Sequence, residues 1–505
     1  MLTNLRSKLR HLFRKTPPQT ATAKRGFAAA QLNRLTESWR MTAERIDDEL
    51  RNDLDALRSR SRKLEFDNDF MRNYLDIAET NIVGETAPRL ISLVDNAPGN
   101  PDTGARTAIT KSWLEWGKPG VCEISGAYSW TGLCHAIVRG TARDGEALVL
   151  PKYGPAAGNK WGFSLQLLDV DRLATWLNRE ADGHQNAIVA GVEVSQEGRQ
   201  VAYHFTTGRM AAARARSTDR IPANAVLHRF LPQRPEQRRG IPWGHAAILS
   251  MYYAGEFALS ALVAAKHGAD HLGFFVSPDG SAPPIGEATT DEAGQEGARI
   301  VTSAPGTWDT IPTGYDVRVP ESKYPNEVFG PFLKIAHQRM ASGLPGASYP
   351  ELCNDYEAVN FSSIRAALLS SRDEWKKRQN WFCAAWLEPI FADWLRFSLL
   401  NGAILLDNGA ALPITKAEKF AAHGWQMRGW AWVDPLKDVE TAREGIALSI
   451  TSRSRIAREQ GRDIEEVFDD LQSENKLAAK YGISLAVQPA PPSPSKSSVP
   501  DGVST

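Results

Sequence analysis

The stretch NDYEAVNFSSIRAALLSSRDEW, residues 354–375, joins a polar loop to the start of a long helix and organises the rest of the fold. A hydroxyl at a helix start can accept hydrogen bonds from the free amides of the first turn. We therefore expect Ser362 or Ser363 to cap this helix rather than to act as a nucleophile. Pro389 predicts a kink before the helix ends near Leu400. The apolar positions recur with helical spacing on one face: Ile364, Leu368, Trp375, Phe382, Leu387, Ile390, Trp394 and Phe397.

Two further helices precede this junction. IPWGHAAILSMYYAGEFALSALVAAK, residues 241–266, predicts an apolar helix of more than twenty residues, with Pro242 near its start. Residues 277–324 are rich in Gly, Pro, Asp and Thr and predict a small α/β or β excursion. NEVFGPFLKIAHQRMASG, residues 326–343, predicts a shorter returning helix. The chain therefore leaves and re-enters its main body through two helices.

The N-terminal half predicts helices followed by a β-rich body. Residues 36–64 alternate charged and apolar residues with helical spacing, and DNDFMRNYLDIAETNIVGE, residues 67–85, predicts a second amphipathic helix. Residues 88–230 contain short β-like runs separated by Gly and Asn. This pattern indicates a mixed, mostly antiparallel β region.

The C-terminal part predicts helices and then disorder. Asp434 is a natural N-cap with Pro435 at the first helical position, and Asp463 is expected to cap a helix that Gly482 ends. Residues 483–505 lack apolar mass, so we expect a disordered tail.

The composition restricts the classes of function. With 505 residues, 42% of them apolar, the chain is long enough for several globular units. Lys and Arg together equal Asp and Glu at 59 each, whereas a protein that grips DNA statically usually has a basic surplus. The four cysteines show no CxxC spacing, which is typical of reduced thiols.

Positive charge is concentrated at the N-terminus. Residues 1–40 hold nine Lys or Arg against the single acid Glu37, and the leucines of residues 2–15 share one helical face. This pattern favours a solvated arm that docks on a partner subunit, with a membrane-surface helix or a transit peptide as the alternatives. No uninterrupted run of eighteen apolar residues occurs, so we expect no membrane-spanning segment.

Motifs for catalysis or metal binding are weak or missing. The sequence has no GxSxG elbow, and the glycine-rich stretch at residues 154–162 lacks the GK[ST] ending of a phosphate-binding loop. His267 and His271 are four residues apart, but Gly268 stands where a zinc protease would have Glu. We expect no catalytic residue, no metal and no cofactor.

Six stretches together resemble the portal proteins of tailed double-stranded DNA phages, specifically the lambda-type family. The resemblance runs from about residue 36 to 482, and the order and gaps of the stretches carry it more than any one of them. The stretches are RNYLDIAETNIVGE (72–85), QRRGIPW (237–243), AAKHGADHLGFFV (264–276), PTGYDVRVPESKYPNEVFGPFLKIAHQRMASGL (312–344), YEAVNFSSIRAALLSSRDEWKKRQNWF (356–382) and AWVDPLKDVETAREG (431–445).

The resemblance implies an α+β portal fold with a β-rich wing, long stem helices, a small α/β clip, a kinked helix and a helical crown. The implied parts are a basic N-terminal arm (1–35), the wing (36–244), stem helix 1 (245–275), the clip (276–324), stem helix 2 (325–343), a tunnel loop (344–361), a kinked wing helix (362–405), wing and crown helices (406–482) and a disordered tail (483–505).

The resemblance also implies a function and partners. We expect a homododecameric ring at one capsid vertex that forms the channel for DNA packaging and ejection. The implied partners are the terminase large subunit, the major capsid protein, a head-completion or adaptor protein, and double-stranded DNA passing without sequence specificity. The implied location is the virion, after assembly in the host cytoplasm, with no membrane partner. The rival readings are a monomeric scaffold or adaptor protein and an enzyme with an unrecognised site.

The tunnel loop contains carboxylates and no Lys or Arg in GASYPELCNDYEAVN, residues 346–360. Because duplex DNA carries one charge per roughly 1.7 Å of its axis, a basic lining would grip many phosphates at once. We hypothesise that an acidic ring repels the duplex and keeps it centred. The candidate channel residues are Glu351, Asn354, Asp355, Tyr356, Glu357 and Asn360, and the candidate DNA contacts of the stem are Lys334, His337 and Arg339.

Fifteen tryptophans are many for a chain of this size, and four lie on the predicted kinked helix: Trp375, Trp381, Trp386 and Trp394. Tryptophan is enriched at subunit interfaces, so assembly into a ring would account for the large number of tryptophans. Packing against the β-rich body is the alternative for each of them.

Overall fold

The fold is taken from a computed structural model of the chain. The residues that the structure describes are 44–207, 217–270, 274–276, 287–290, 296–300, 316–318, 329–357 and 360–483. The predicted arm at residues 1–35, most of the predicted tail and His271 lie outside these ranges.

Four helices form one side of the wing: α1 (Ile46–Asp67), α2 (Asp69–Ile82), α3 (Thr103–Trp116) and α4 (Trp130–Asp144). The Asn68 side chain separates α1 from α2 by accepting a hydrogen bond from the amide of Met71 at 3.0 Å. Helix α4 ends at Gly145, where φ is +92°. A Cβ at Gly145 would lie 2.4 Å from the Ile241 carbonyl carbon, so only glycine fits where the chain passes towards the stem.

The predicted antiparallel β region is confirmed. The strands are β1 (Arg89–Ser92), β2 (Asp95–Ala97), β3 (Asn100–Pro101), β4 (Glu146–Tyr153), β5 (Phe163–Leu168), β6 (Ala187–Val189), β7 (Val192–Val194), β8 (Gln200–Thr206), β9 (Thr218–Pro222), β10 (Leu227–Phe230) and β15 (His423–Gln426). They form a three-stranded sheet in the order β10-β4-β5, a four-stranded sheet in the order β6-β7-β8-β9, and the two-stranded pairs β2-β3 and β1-β15.

The two predicted stem helices are present as α5 (Ile248–Asp270) and α6 (Phe329–Ser342). Their predicted segments, 245–275 and 325–343, include residues 271–273 and 325–328, which lie outside the described residues. Between them the structure describes two antiparallel strand pairs: β11 (Phe274–Val276) with β14 (Asp316–Arg318), and β12 (Glu287–Thr290) with β13 (Glu296–Ile300). Most of the predicted clip lies outside the described residues.

The kinked helix is built from α8 (Phe361–Phe382), a π-helical turn (Cys383–Leu387) and α9 (Glu388–Leu400). Pro389 has no amide hydrogen to donate to the carbonyl of Ala385, one turn earlier. That carbonyl instead accepts a hydrogen bond from Arg229 Nε at 3.2 Å. The predicted interruption is therefore a π turn braced by strand β10.

The predicted serine cap is wrong by two residues. Asn360 is the N-cap of α8, and its side chain accepts a hydrogen bond from the amide of Ser363 at 2.8 Å. Ser362 Oγ only donates to the Asn360 side chain, at 3.2 Å. Asparagine and serine cap helices about equally well, so the residue type at position 362 did not identify the cap.

The tryptophans of the kinked helix pack mainly into the core. Trp375, Trp386 and Trp394 are 1%, 0% and 0% exposed. Trp394 packs edge-on against Trp113 with ring centroids 5.0 Å apart, and Trp113 also contacts Trp116 at 4.8 Å. For these three residues the subunit-interface reading is wrong, because the chain buries them within its own wing.

The C-terminal helices are α10 (Ala417–Phe420), α11 (Pro435–Ala447), α12 (Arg453–Glu459) and α13 (Ile464–Tyr481). Two predictions for α13 are confirmed: Asp463 accepts a hydrogen bond from the amide of Glu465, and Gly482 ends the helix with φ +69°. Asp434 precedes α11 as predicted, although its side chain caps no amide. Helix α13 buries only Ala478 and is held to β1 by an Arg89–Glu466 ion pair of 2.6 Å.

Candidate functional site

The stem helices present an apolar surface that the described part of the chain leaves uncovered. Phe257 on α5 contacts Phe329 and Phe332 on α6, with ring centroids 5.8 Å and 5.2 Å apart. A groove of about 460 Å³ lies beside this contact. Large apolar side chains on the two helices remain exposed: Leu249, Tyr252, Tyr253, Leu259, Leu262, Val263, Phe332 and Ile335. A contiguous apolar surface of this kind marks an interaction site.

Helix α5 is also apolar enough to cross a membrane by length and composition. Residues Ile248–Lys266 have a mean hydropathy of 1.4, and only 11% of this window is buried. The sequence test for an uninterrupted apolar run missed this helix because Glu256 and several small or polar residues interrupt it. By length and hydropathy α5 could span a bilayer, so the expectation that no segment could do so is not met.

The predicted tunnel loop contains a short helix, α7 (Tyr349–Cys353), which ends at Asn354 in the left-handed conformation, with φ +52°. Asp355 follows, and its carboxylate accepts a hydrogen bond from the Tyr349 hydroxyl at 2.5 Å. Lys334 on α6 lies 3.4 Å from the same carboxylate. The hydrogen bond from Tyr349 and the charge of Lys334 lower the pKa of Asp355. Lys334 therefore binds the loop, and its charge is partly neutralised.

Glu351 points away from solvent. Its Oε2 atom is buried with no hydrogen-bond partner, and burial raises the pKa of the carboxyl. The carboxyl lines a cavity between α7, α2 and α8. Glu351 is thus directed into the chain rather than towards an open channel.

Four predicted loop residues are exposed: Asn354, Tyr356, Glu357 and Asn360. Among the described residues, Glu357 forms no ion pair within 4.0 Å, so it is the loop carboxylate that keeps its charge free. On α6, His337 packs against Phe70 with ring centroids 4.6 Å apart, and burial lowers its pKa. Arg339 lines the apolar stem groove. The candidate residues therefore divide into four exposed loop residues, the Lys334–Asp355 pair that joins the loop to the stem, and three residues with other surroundings: Glu351, His337 and Arg339.

A buried ionic cluster fixes the wing next to the stem. Glu146 on β4 is fully buried and accepts hydrogen bonds from Arg58 Nη2 at 2.5 Å, Arg239 Nη2 at 2.7 Å and His228 Nε2 at 3.0 Å. It also accepts from the amide of Gly240 at 2.6 Å. Because several donors satisfy it and two guanidinium groups lie close, the pKa of Glu146 stays well below its ordinary value despite burial. Sequence reasoning missed this cluster, although it quoted QRRGIPW, since the partners are far apart in the chain.

The described residues show neither a metal-binding cluster nor a cysteine with a lowered pKa. Among them no group of three or more His, Cys, Asp or Glu could hold a metal ion. Cys122 and Cys134 are unpaired and buried. Burial raises the pKa of Cys122 to about 12, so its thiol stays protonated at neutral pH and is a poor nucleophile.

Comparison with known proteins places the chain in a family. The profile described as "Phage portal protein, lambda family" matches residues 32–379. A "Probable portal protein" of Halomonas phage phiHAP-1 is 31% identical over 477 residues, covering 93% of this chain and 89% of that protein. "Portal protein B" of Escherichia phage lambda is 19% identical, covering 85% of each. The neck of an empty GTA particle aligns with a TM-score of 0.43 and 13% identity, over 81% of this chain and 94% of that one.

These matches define a class of structural phage proteins rather than of enzymes. The chain belongs to the lambda family of phage portal proteins. The resemblance inferred from the six sequence stretches is confirmed.

Proposed function

We propose that this chain assembles into a closed ring of identical subunits, twelve in number, at one vertex of a phage capsid. Double-stranded DNA passes through the ring during packaging and ejection. The observation that carries the proposal is the uncovered apolar surface of α5 and α6, in a chain of the portal family. A head-to-tail interface that closes by rotation lets every copy cover its neighbour's stem.

The energetics of the stem favour a permanent interface. Leu262 and Tyr253 are 68% and 63% exposed in the single chain. Burying apolar surface contributes about 25 cal/mol per Å², and a side chain of this size contributes about 1.5–3 kcal/mol when fully covered. Six such side chains on α5 and two on α6 stabilise the proposed interface between neighbouring stems.

In this proposal the loop after the stem faces the channel. Glu357 supplies a carboxylate, while Lys334 is held by Asp355. A lining without free cations guides the duplex without neutralising its phosphates, so binding stays weak at physiological salt. The zero net charge of the chain is consistent with a channel that lets DNA slide.

The remaining assignments follow the family. The clip, residues 276–324, docks the terminase large subunit during packaging and a head-completion or adaptor protein afterwards, and the wing contacts the major capsid protein. The protein assembles in the host cytoplasm and remains in the virion.

Native mass measurement tests the ring. The purified chain is expected at about twelve times its 55.6 kDa mass. Leu262→Asp places a charge in the proposed interface and is expected to yield single chains that keep their helical content. Leu114→Asp is the matched control, because Leu114 is similarly exposed on wing helix α3, and it is expected to leave the ring intact.

Two outcomes would overturn the proposal. A wild-type chain that remains single at micromolar concentration favours a monomeric scaffold. Flotation of the wild-type chain with lipid vesicles, abolished by Leu262→Asp, assigns the apolar helix α5 to a membrane instead of a neighbouring copy.

A further inference from the structure

A second cavity lies where the tunnel loop, the kinked helix and the base of the crown meet. It measures about 350 Å³ and is closed by α2, α7, α8 and the segment that follows β15. The side chains relevant to its chemistry are Asn81, Glu351, Ser371, Arg372, Arg428 and Trp430. Nothing in the proposed ring, loop or clip uses this cavity.

Two guanidinium groups at this cavity have no carboxylate partner. Arg372 Nη2 donates to the Ala431 carbonyl at 3.1 Å, and Arg428 Nη1 donates to Asn81 Oδ1 at 2.7 Å. Neither forms an ion pair within 4.0 Å among the described residues. Each guanidinium carries five N–H donors, so most of the donors of both groups remain available. Both guanidinium carbons lie close to the Trp430 ring, at 5.9 Å and 5.8 Å from its centroid.

Two other arginines of the wing, Arg139 and Arg239, are paired with carboxylates. Arg139 contacts three carboxylates, those of Glu65, Asp76 and Glu79, and Arg239 is held by Glu146. Burying a cation without a counter-ion is costly, and proteins normally pair it. Within the described part of the chain, Arg229 also lacks a carboxylate partner and donates to the carbonyls of Ala385 and His228. Arg372 and Arg428 differ from it because two unpaired guanidinium groups line one cavity.

The acids near the cavity do not supply the counter-ion. Asp76 lines the cavity but is paired with Arg139 at 2.7 Å. Asp438 lies near Arg372 but is paired with Arg365 at 2.8 Å. Glu351 forms no ion pair within 4.0 Å, and its buried Oε2 has no partner. Burial lowers the pKa of both arginines, and the charge of Glu351 opposes that shift without forming an ion pair to either, so the cavity holds two cations and one carboxyl and keeps a positive excess.

We propose that this cavity binds a phosphate-type oxyanion, which bridges Arg372 and Arg428. Arginine suits this ligand because its planar fork of donors matches phosphate oxygens. The volume holds inorganic phosphate or the phosphate groups of a nucleotide. Burial and mutual repulsion lower the pKa of Arg428, and a bound anion would relieve that repulsion.

The anion would join three parts of the molecule. Arg372 belongs to the kinked helix α8, Arg428 leads to the crown, and Glu351 belongs to α7 in the tunnel loop. A bridged pair of arginines ties α8 to the base of the crown, while the anion repels a charged Glu351. This structural consequence rests on the proposed portal function, whereas the binding itself does not.

Calorimetric titration of the purified, assembled protein with sulfate tests the site, because sulfate keeps a constant charge across the accessible pH range. We expect saturable binding of one sulfate per chain. Arg372→Gln is expected to weaken binding at least tenfold, since it removes a charge-assisted hydrogen bond. Glu351→Gln is expected to tighten binding, because it removes the competing negative charge. Lys376→Gln is the matched control, because Lys376 is an exposed cation on the same helix, and it should bind like the wild type.

Titrations with inorganic phosphate and with ATP identify the source of the phosphate group. If the protein binds inorganic phosphate but not ATP, the ligand is a free anion. If it binds ATP more tightly than phosphate, the ligand is a nucleotide. Absence of saturable binding of sulfate, phosphate and ATP overturns the proposal, as does equal weakening by Arg372→Gln and Lys376→Gln. A Glu351→Gln variant that binds no better than the wild type also counts against it.

The native mass of the same samples separates this site from the ring. A ring without anion binding contradicts only the site, and anion binding by single chains contradicts only the ring.

Discussion

The wing and the stem use similar apolar side chains in opposite ways. On the kinked helix Trp375, Trp386 and Trp394 are almost fully buried by the chain's own helices and sheets. On α5 the side chains of Leu259 and Leu262 are more than half exposed. The core of the wing is therefore completed within one chain, whereas the described residues leave the stem surface uncovered, and in the proposed ring other copies cover it. A residue's type does not distinguish these cases; the elements packed around it do.

The largest expected effect on the free energy of unfolding comes from removing a large side chain from the core of the wing. Trp394→Ala is expected to lower the free energy of unfolding by about 3–5 kcal/mol, because it leaves a large cavity among aromatic rings. Denaturant titration of the wild type and the variant measures the change. If Trp394→Ala dissociated the ring without destabilising the chain, the tryptophan would be an interface residue and the comparison would fail.

A smaller effect concerns pH and the buried cluster of the wing. Burial lowers the pKa of His228 below its ordinary value of 6.5, so the folded state favours the neutral ring. The unfolded chain then binds more protons as the pH falls through about 6.5, and stability is lost below that pH. The stability present above pH 7 should therefore decline between pH 7 and pH 5.

His228→Gln sharpens this test. The variant is expected to show a flatter pH dependence of the unfolding free energy over the same window, measured by denaturant titration at each pH. Arg234→Gln, which removes an exposed ion pair, is the control and should keep the wild-type profile. A wild-type profile that is flat from pH 7 to pH 5 would contradict the assignment.

The smallest effect on folding is expected in the stem. Leu259→Ser is expected to change the unfolding free energy of dissociated chains by less than about 0.5 kcal/mol, as exposed positions usually do. The same variant should weaken association, measured as the concentration at which half of the rings dissociate. A large loss of chain stability would show that the stem is completed within the single chain.

The sequence predicted most elements and some of their ends. Asp463 and Gly482 bound α13 as predicted, because capping is a local property of the chain. Glu351 was predicted to line the channel, and its burial depends on α2 and α8, which no local pattern reveals. Arg372 and Arg428 were missed for the same reason, since they lie on separate segments.

One local signal was present but was not used. The apolar stripe of the kinked helix steps by five residues from Phe382 to Leu387, and both side chains are fully buried. A five-residue step matches the i→i+5 hydrogen bond of a π turn, and the structure has such a turn at Cys383–Leu387. The sequence therefore predicted an interruption from Pro389 but not its form.

The π turn has a consequence for how the helix tolerates changes in length. Trp375 and Trp394 are nineteen positions apart, which on an uninterrupted α-helix would turn them about 100° away from each other. The π turn absorbs one residue, so the remaining eighteen steps make about five full turns and both indoles face the same interior. Deleting one residue from Cys383–Leu387 would leave eighteen positions between the two indoles on a regular α-helix, so both halves would keep their orientation. A one-residue deletion elsewhere between Trp375 and Trp394 would instead turn one half by about 100° and is therefore less easily accommodated.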